Sequence, residues 1–251
     1  MKIIWIVGAS SGIGRELALQ YAQTGATVYA SARSVDKLNQ LSTEAESLAG
    51  RILAAPLDVC DNEAIIKFVQ ERQREDTVPD LAIFNAGFYD PVGLEQLSLE
   101  HFEQTFDVNY MGVVRCLMAL LPVYRSQRSG HLAVVASVAG YSGLPRAAAY
   151  GSTKAALINL CESLKHEALN EGIRISVVNP GFVRTPMTDQ NEFAMPFLLE
   201  PQDAAQRIVR GLDSRSFEVH FPKRFTFLMK CLRLLPYPLY FALTRGLLKQ
   251  R

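Results

Sequence analysis

Lys2-Ile3-Ile4-Trp5-Ile6-Val7-Gly8-Ala9-Ser10-Ser11-Gly12-Ile13-Gly14-Arg15, continuing through Glu16–Gly25, is the stretch from which the architecture can be read. Residues 2–7 are an apolar, largely β-branched run closed by a glycine, the pattern of a buried strand. A helical pattern follows to about Thr24, and Gly25 ends it. Strand, glycine-rich turn and helix in that order form a phosphate cradle. Glycines let the backbone approach a pyrophosphate, and the helix N-terminus offers unpaired N–H groups at the positive end of its dipole. The spacing is Gly8-x-x-x-Gly12-x-Gly14, and Ser10, Ser11 and Ile13 fill the turn as further cofactor contacts.

Ala26–Ala32 reads as a second strand. An acidic residue near its end would hold the ribose 2′-hydroxyl of NAD. The sequence there is Ala30-Ser31-Ala32-Arg33, with no acid. Arg33 puts a guanidinium where a 2′-phosphate would lie, and Arg15 follows the glycine turn. The planar fork of arginine suits phosphate, so NADP(H) is expected over NAD(H).

Helical patterns over 35–49, 61–74, up to about 128, and 147–170 alternate with strands over 51–57, 80–84, 131–136, 172–178 and 216–221. Repeated units of this kind predict an α/β fold, a doubly wound parallel sheet with helices on both faces. Ligands in such folds bind beyond the carboxyl ends of the strands. Asp58, Asn85-Ala86-Gly87, Ser137 and Asn179-Pro180-Gly181 all fall there. One domain is expected over residues 1–222, with a C-terminal helical extension over 223–251.

Tyr150-Gly151-Ser152-Thr153-Lys154 places a tyrosine and a lysine one helical turn apart. Free, they titrate near ~10 and ~10.4. Side by side, the ammonium favours the phenolate and draws the tyrosine towards working pH. Tyr150 would then exchange a proton with a carbonyl or alcohol oxygen. Alone, such a pair is an ordinary helix surface; the other motifs give it meaning.

Gly8–Gly14, Asp58, Asn85-Ala86-Gly87, Asn109, Ser137, Tyr150-x-x-x-Lys154 and Pro180-Gly181, in that order, closely resemble the short-chain dehydrogenase/reductase superfamily over roughly residues 2–221. The resemblance implies a Rossmann-type fold and an oxidoreductase. It also implies roles: Tyr150 as general acid/base, Lys154 holding the nicotinamide ribose and lowering the tyrosine pKa, and Ser137 bonding the substrate oxygen. Asn109 would anchor a water between Lys154 and solvent. Asp58 and Val59 would lie by the adenine, with Val183 and Thr185 near the carboxamide. Val7 and Phe84 depart from the threonine and asparagine usual in the family. A nucleophilic Ser137 lacks a Gly-x-Ser-x-Gly setting, and His101, His131, His166 and His220 are expected to be structural.

The chain has 251 residues, 49% hydrophobic and 20% charged, which suits one globular domain. Its net charge of +1 hides an asymmetry: residues 223–251 hold seven basic side chains and no acidic one, so the body is mildly acidic. Nucleic-acid binding is therefore not expected. Four cysteines without CxxC spacing predict reduced thiols, no metal site and a cytoplasmic location. The apolar run at 3–7 is too short for a secretory segment.

Thr185–Glu200, with Met187, Phe193, Met195, Phe197, Leu198 and Leu199, would form a lid over a lipophilic small-molecule substrate. Apolar helices 105–128 and 147–170, with Leu117, Leu120, Leu121, Leu157, Leu160 and Leu164, predict a homodimer. The basic, apolar extension runs from Phe225 to Leu248 around Pro236-Tyr237-Pro238. It either lies on the inner face of a membrane, folds over the cleft, or is buried in the dimer.

Overall fold

A computed structural model describes residues 2–191 and 194–245. Seven strands make one parallel sheet: β1 (Ile3–Val7), β2 (Thr27–Ser31), β3 (Arg51–Ala54), β4 (Leu81–Phe84), β5 (Gly130–Val135), β6 (Ile173–Pro180) and β7 (Glu218–Phe221). Their spatial order is β3-β2-β1-β4-β5-β6-β7. The winding therefore reverses at β1 and β4, which opens a crevice at the carboxyl ends of those strands.

The helices are α1 (Gly12–Gln23), α2 (Val35–Glu44), α3 (Asn62–Arg74), α4 (Leu99–Phe106), α5 (Gly112–Gln127), α6 (Ala148–Asn170), α7 (Pro201–Asp213), α8 (Lys223–Arg233) and α9 (Tyr237–Thr244). The period-two alternation of β1 separates two core layers. Ile4 and Ile6 join Leu17, Leu38, Leu41 and Ile208 on the side of α1, α2 and α7. Trp5 and Val7 join Phe68, Leu117, Leu120 and Leu157 on the side of α3, α5 and α6. Trp5 stacks on Phe68 at 4.6 Å, and its buried indole N–H donates to Ser31 Oγ at 2.9 Å.

Several boundaries differ from the sequence reading. The strand expected over 51–57 ends at Ala54, and the helix expected over 35–49 ends at Glu44 with a 3-10 turn, Ala45–Ser47. β6 extends to Pro180 because β7 pairs alongside it, Asn179 with His220 and Pro180 with Phe221. The helix expected up to about 128 is interrupted by a π-turn at Asp107–Met111, where Asn109 is fully buried. Leu99–Gln127 is the one stretch among the described residues long and apolar enough to cross a membrane. Its α5 portion instead buries Val113, Leu117, Leu120 and Tyr124 in the core.

Of the leucines named for the two helices, Leu117, Leu120 and Leu157 are buried in their own chain. Leu121, Leu160 and Leu164 are half-buried and Met118 is exposed. The extension packs on the body, since Phe225 and Met229 of α8 belong to the core layer of α5 and α6. The Tyr240 hydroxyl of α9 donates to the carbonyl of Gly143. Phe193, Leu247, Leu248, Lys249 and Arg251 lie outside the described residues.

His131, at the start of β5, is buried with Nε2 2.9 Å from Ser176 Oγ. Burial, aided by Arg174 and Lys2, pushes its pKa down to about 3. The ring is neutral in the fold, whereas the unfolded chain takes up a proton below pH ~6.5. Its contribution to stability is therefore complete above pH ~6.5 and is lost as pH falls towards 3, at about 1.4 kcal/mol per pH unit. Urea midpoints at descending pH should fall in the parent protein and fall less steeply in His131→Asn.

Candidate active site

A cleft of about 530 Å³ opens at the carboxyl ends of the strands. One end of it is the β1–α1 turn. Gly8 and Gly12 have φ of +89° and +55°, which favours glycine at both. A Cβ on Gly8 would lie 2.5 Å from the Ala86 nitrogen, and one on Gly12 2.8 Å from Thr185 Cγ2. Ser11 caps α1 without a side-chain hydrogen bond, and the first turn carries no acid. The opening N–H groups of α1 thus face the cleft with no carboxylate in their own turn, a setting suited to an anion.

The structure brings Gly8, Ser10, Ser11, Gly12, Ile13, Arg33, Asp58, Val59, Asn85, Ala86, Gly87, Ser137, Tyr150, Lys154, Pro180, Val183 and Thr185 to this cleft. Gly14 and Asn109 support it from behind. A Cβ on Gly14 would meet the Gly8 carbonyl at 2.1 Å. Asn109 donates to the Phe88 carbonyl (2.9 Å) and Thr153 Oγ1 (3.2 Å) and accepts from the Phe88 N–H (2.6 Å). Arg15 turns away, held by Glu16 at 2.7 Å and by Glu44. Lys37, exposed on α2 four residues after Arg33, lines the cleft instead. Its place in the first turns of the helix that follows Arg33 was its available signal. Tyr89 had none: its ring stands edge-on to Tyr150 at 4.8 Å, and its hydroxyl donates to Asn191 Oδ1 at 2.9 Å. None of the four histidines lines the cleft.

At the reactive end, Lys154 is buried, and its Nζ donates to the Val135 carbonyl at 3.0 Å. It sits 5.4 Å from the centre of the half-buried Tyr150 ring. The expected lowering of the phenol by this ammonium is not what these residues produce. Burial pushes Tyr150 up to about 12, with Ser137 pulling it back and Tyr89 adding to the rise. Burial likewise draws Lys154 down to about 8. Desolvation opposes the charged form of each.

Behind the cleft, the loop carrying Ser137 is fixed by Tyr141, whose hydroxyl donates to Glu218 Oε1 at 2.6 Å. Asn179 Nδ2 donates to the same oxygen at 2.9 Å, and Lys230 of α8 pairs with Oε2. Burial alone would raise the Glu218 pKa, but Lys230, Tyr141 and Asn179 bring it below the ordinary value. One carboxylate ties the Ser137 loop, the Pro180-Gly181 loop and the extension together. Beyond it, Arg184 Nε pairs with Glu200 at 2.9 Å on the surface, and Met187 lines the cleft.

The family profile described as short chain dehydrogenase matches residues 2–195. An uncharacterized oxidoreductase of Myxococcus xanthus is 35% identical over 242 residues, 96% of each chain. A short-chain dehydrogenase from Sphingobium yanoikuyae in complex with NADPH superposes with a TM-score of 0.80 at 25% identity, covering 100% of this chain and 97% of that one. A 3-oxoacyl-[acyl-carrier protein] reductase with bound NAD from Brucella melitensis gives 0.76 at 25% identity, over 87% and 89% of the two chains.

The Glu218 junction can be tested without a substrate. Lys230→Met should lower stability by about 1–2 kcal/mol, because a half-buried carboxylate loses its cation. Glu218→Gln combined with Lys230→Met should recover part of that loss in urea denaturation. Additive losses would show that the two side chains do not interact.

Proposed function

The chain belongs to the short chain dehydrogenase family, and from that membership we propose an NADP(H)-dependent oxidoreductase that interconverts a carbonyl and an alcohol on a lipophilic substrate. One observation supports this reading above the others: Ser137, Tyr150 and Lys154 meet in the same cleft as the uncapped N-terminus of α1. A nicotinamide cofactor would supply or accept the hydride. The glycine turn and α1 would hold its pyrophosphate, Asp58 and Val59 its adenine, and Asn85-Ala86-Gly87 and Lys154 its nicotinamide ribose. Pro180, Val183 and Thr185 would hold the carboxamide.

The chain's own residues then handle the proton. Burial keeps the Tyr150 phenol protonated at neutral pH, so in reduction it is loaded to donate to the carbonyl oxygen. Ser137 donates to the same oxygen and stabilises the charge that develops there. Lys154, cationic below about 8, favours the phenolate as the proton leaves. Asn109 would hold the water linking Lys154 to solvent through its main chain, since its side chain is committed to Phe88 and Thr153.

The two cofactors found in the similar structures differ, so the preference is read from Arg33 just after β2 and Lys37 on α2, two exposed cations that line the cleft while the intervening Asp36 does not. The lipophilic substrate is read from Met187 and the apolar 185–200 segment. We place the protein in the cytoplasm, at the inner face of a membrane. It is a homodimer through Met118, Leu121, Leu160 and Leu164, which remain at least partly open on α5 and α6.

A panel of lipophilic ketones followed by NADPH absorbance should reveal turnover, and Tyr150→Phe should reduce kcat roughly a hundredfold to ten-thousandfold. Cofactor binding with no turnover of any ketone or alcohol would mark a sensor or scaffold instead. Arg33→Ala should weaken NADPH binding roughly tenfold to a hundredfold, with little effect on NADH. Equal losses for both cofactors would remove the 2′-phosphate from the argument. Light scattering should give twice the monomer mass, and Leu121→Glu with Leu160→Glu should return the monomer.

A further inference from the structure

We propose that the outer face of α8 and α9 docks on an anionic lipid surface. The helical register of the extension sorts its side chains. Phe225, Thr226 and Met229 of α8 and Tyr240 and Thr244 of α9 turn into the body. Phe227, Leu234, Tyr237, Leu239, Phe241 and Leu243 turn out, with Leu234 83% and Tyr237 76% exposed. Tyr237 and Phe241 stack on each other at 5.7 Å, forming an aromatic ridge along α9. The hydroxyls of Tyr240 and Thr244 are spent on the carbonyls of Gly143 and Tyr240. Apart from the tyrosine hydroxyls, α9 presents no polar side chain to water, and a surface helix of that kind needs cover.

Charge selects the cover. Lys230 is occupied by Glu218, but Lys223, Arg224, Arg233 and Arg245 are exposed and form no ion pair among the described residues. No acidic side chain occurs from 223 to 245. A second copy related by a two-fold axis would bring this surface against itself, basic rim to basic rim, with no carboxylate between. An anionic bilayer accepts the same groups favourably while tyrosine and phenylalanine settle at the headgroup level. The inference rests on the extension alone and is independent of the chemistry in the cleft.

Flotation with vesicles of equal parts phosphatidylglycerol and phosphatidylcholine, and with phosphatidylcholine alone, tests it. The full chain should float with the anionic vesicles, and added salt or Arg224→Gln with Arg233→Gln should reduce the bound fraction. Leu234→Glu, Leu239→Glu and Leu243→Glu together should lower partitioning about tenfold or more. These positions are exposed, so unchanged circular dichroism and urea midpoint should accompany the loss. Full-length protein that stays behind with both vesicle types overturns the proposal. Flotation indifferent to phosphatidylglycerol and salt overturns the charge argument and with it the choice of lipid. A triple variant that instead lowers the oligomeric mass of a protein that never floats assigns the face to a second copy.

Discussion

Close backbone approach at the β1–α1 turn is the constraint from which the rest of the site follows. Gly8 donates its N–H to the Ser31 carbonyl of β2, and its own carbonyl accepts from Asn85 Nδ2 beyond β4. The three strands at the switch point are thereby joined at one residue. A side chain on Gly8 would collide with the Ala86 backbone, and one on Gly14 with the Gly8 carbonyl. Only with both side chains absent does α1 leave the sheet at the angle that aims its free N–H groups into the cleft. Val7 and Phe84 stand at positions where the family usually carries polar residues. Both are buried in the core here, so apolar packing supports the turn from below.

The reactive end depends on a second constraint, exclusion of water around two groups that are each costly to charge. Burial raises Tyr150 and lowers Lys154, so the residues alone favour a neutral phenol beside a lysine that holds its proton weakly. On the proposed reading, such a pair would release a proton to an oxygen that becomes negative, with the new charge met by Ser137 and the ammonium within a low-dielectric pocket. Asn109 contributes geometry. By clamping both backbone groups of Phe88 it fixes the 85–88 loop against α6, and the π-turn supplies the extra residue that lets it reach.

Most of this was legible in the chain because glycine, tyrosine and lysine spacings translate directly into backbone and helix geometry. The alternation of Ile4 and Ile6 against Trp5 and Val7 gave the two layers, and the ends of the strands gave the cleft. What could not be read were contacts between residues remote in sequence. Arg15 looked available for phosphate, but Glu44, 29 positions away, holds it. Which of the six leucines on α5 and α6 face the sheet is not legible, because helical periodicity does not reveal how deeply these helices sink into it. The π-turn left no signature, since its residues are ordinary helix formers. The Tyr150 pKa differs from the sequence expectation because pairing is visible in the sequence and desolvation is not.

The extension shows how packing at a single glycine divides one composition into two roles. A Cβ on Gly181 would lie 2.9 Å from Phe225 Cδ1, so α8 approaches the Pro180-Gly181 loop as closely as it does only because that position is bare. Phe225 packs there with its ring tilted against Phe182 at 5.6 Å and lies 6.1 Å from Phe197, which holds a left-handed φ of +58°. With Phe225 fixed, the helical period places Met229 in the core and Lys230 over Tyr141, within reach of Glu218. The same period sends Arg224, Phe227 and Leu228 to the opposite side. A charge count over the segment treats its basic residues alike, yet the register commits Lys230 to the Glu218 junction behind the cleft and leaves the outward ones to face whatever covers the apolar ridge.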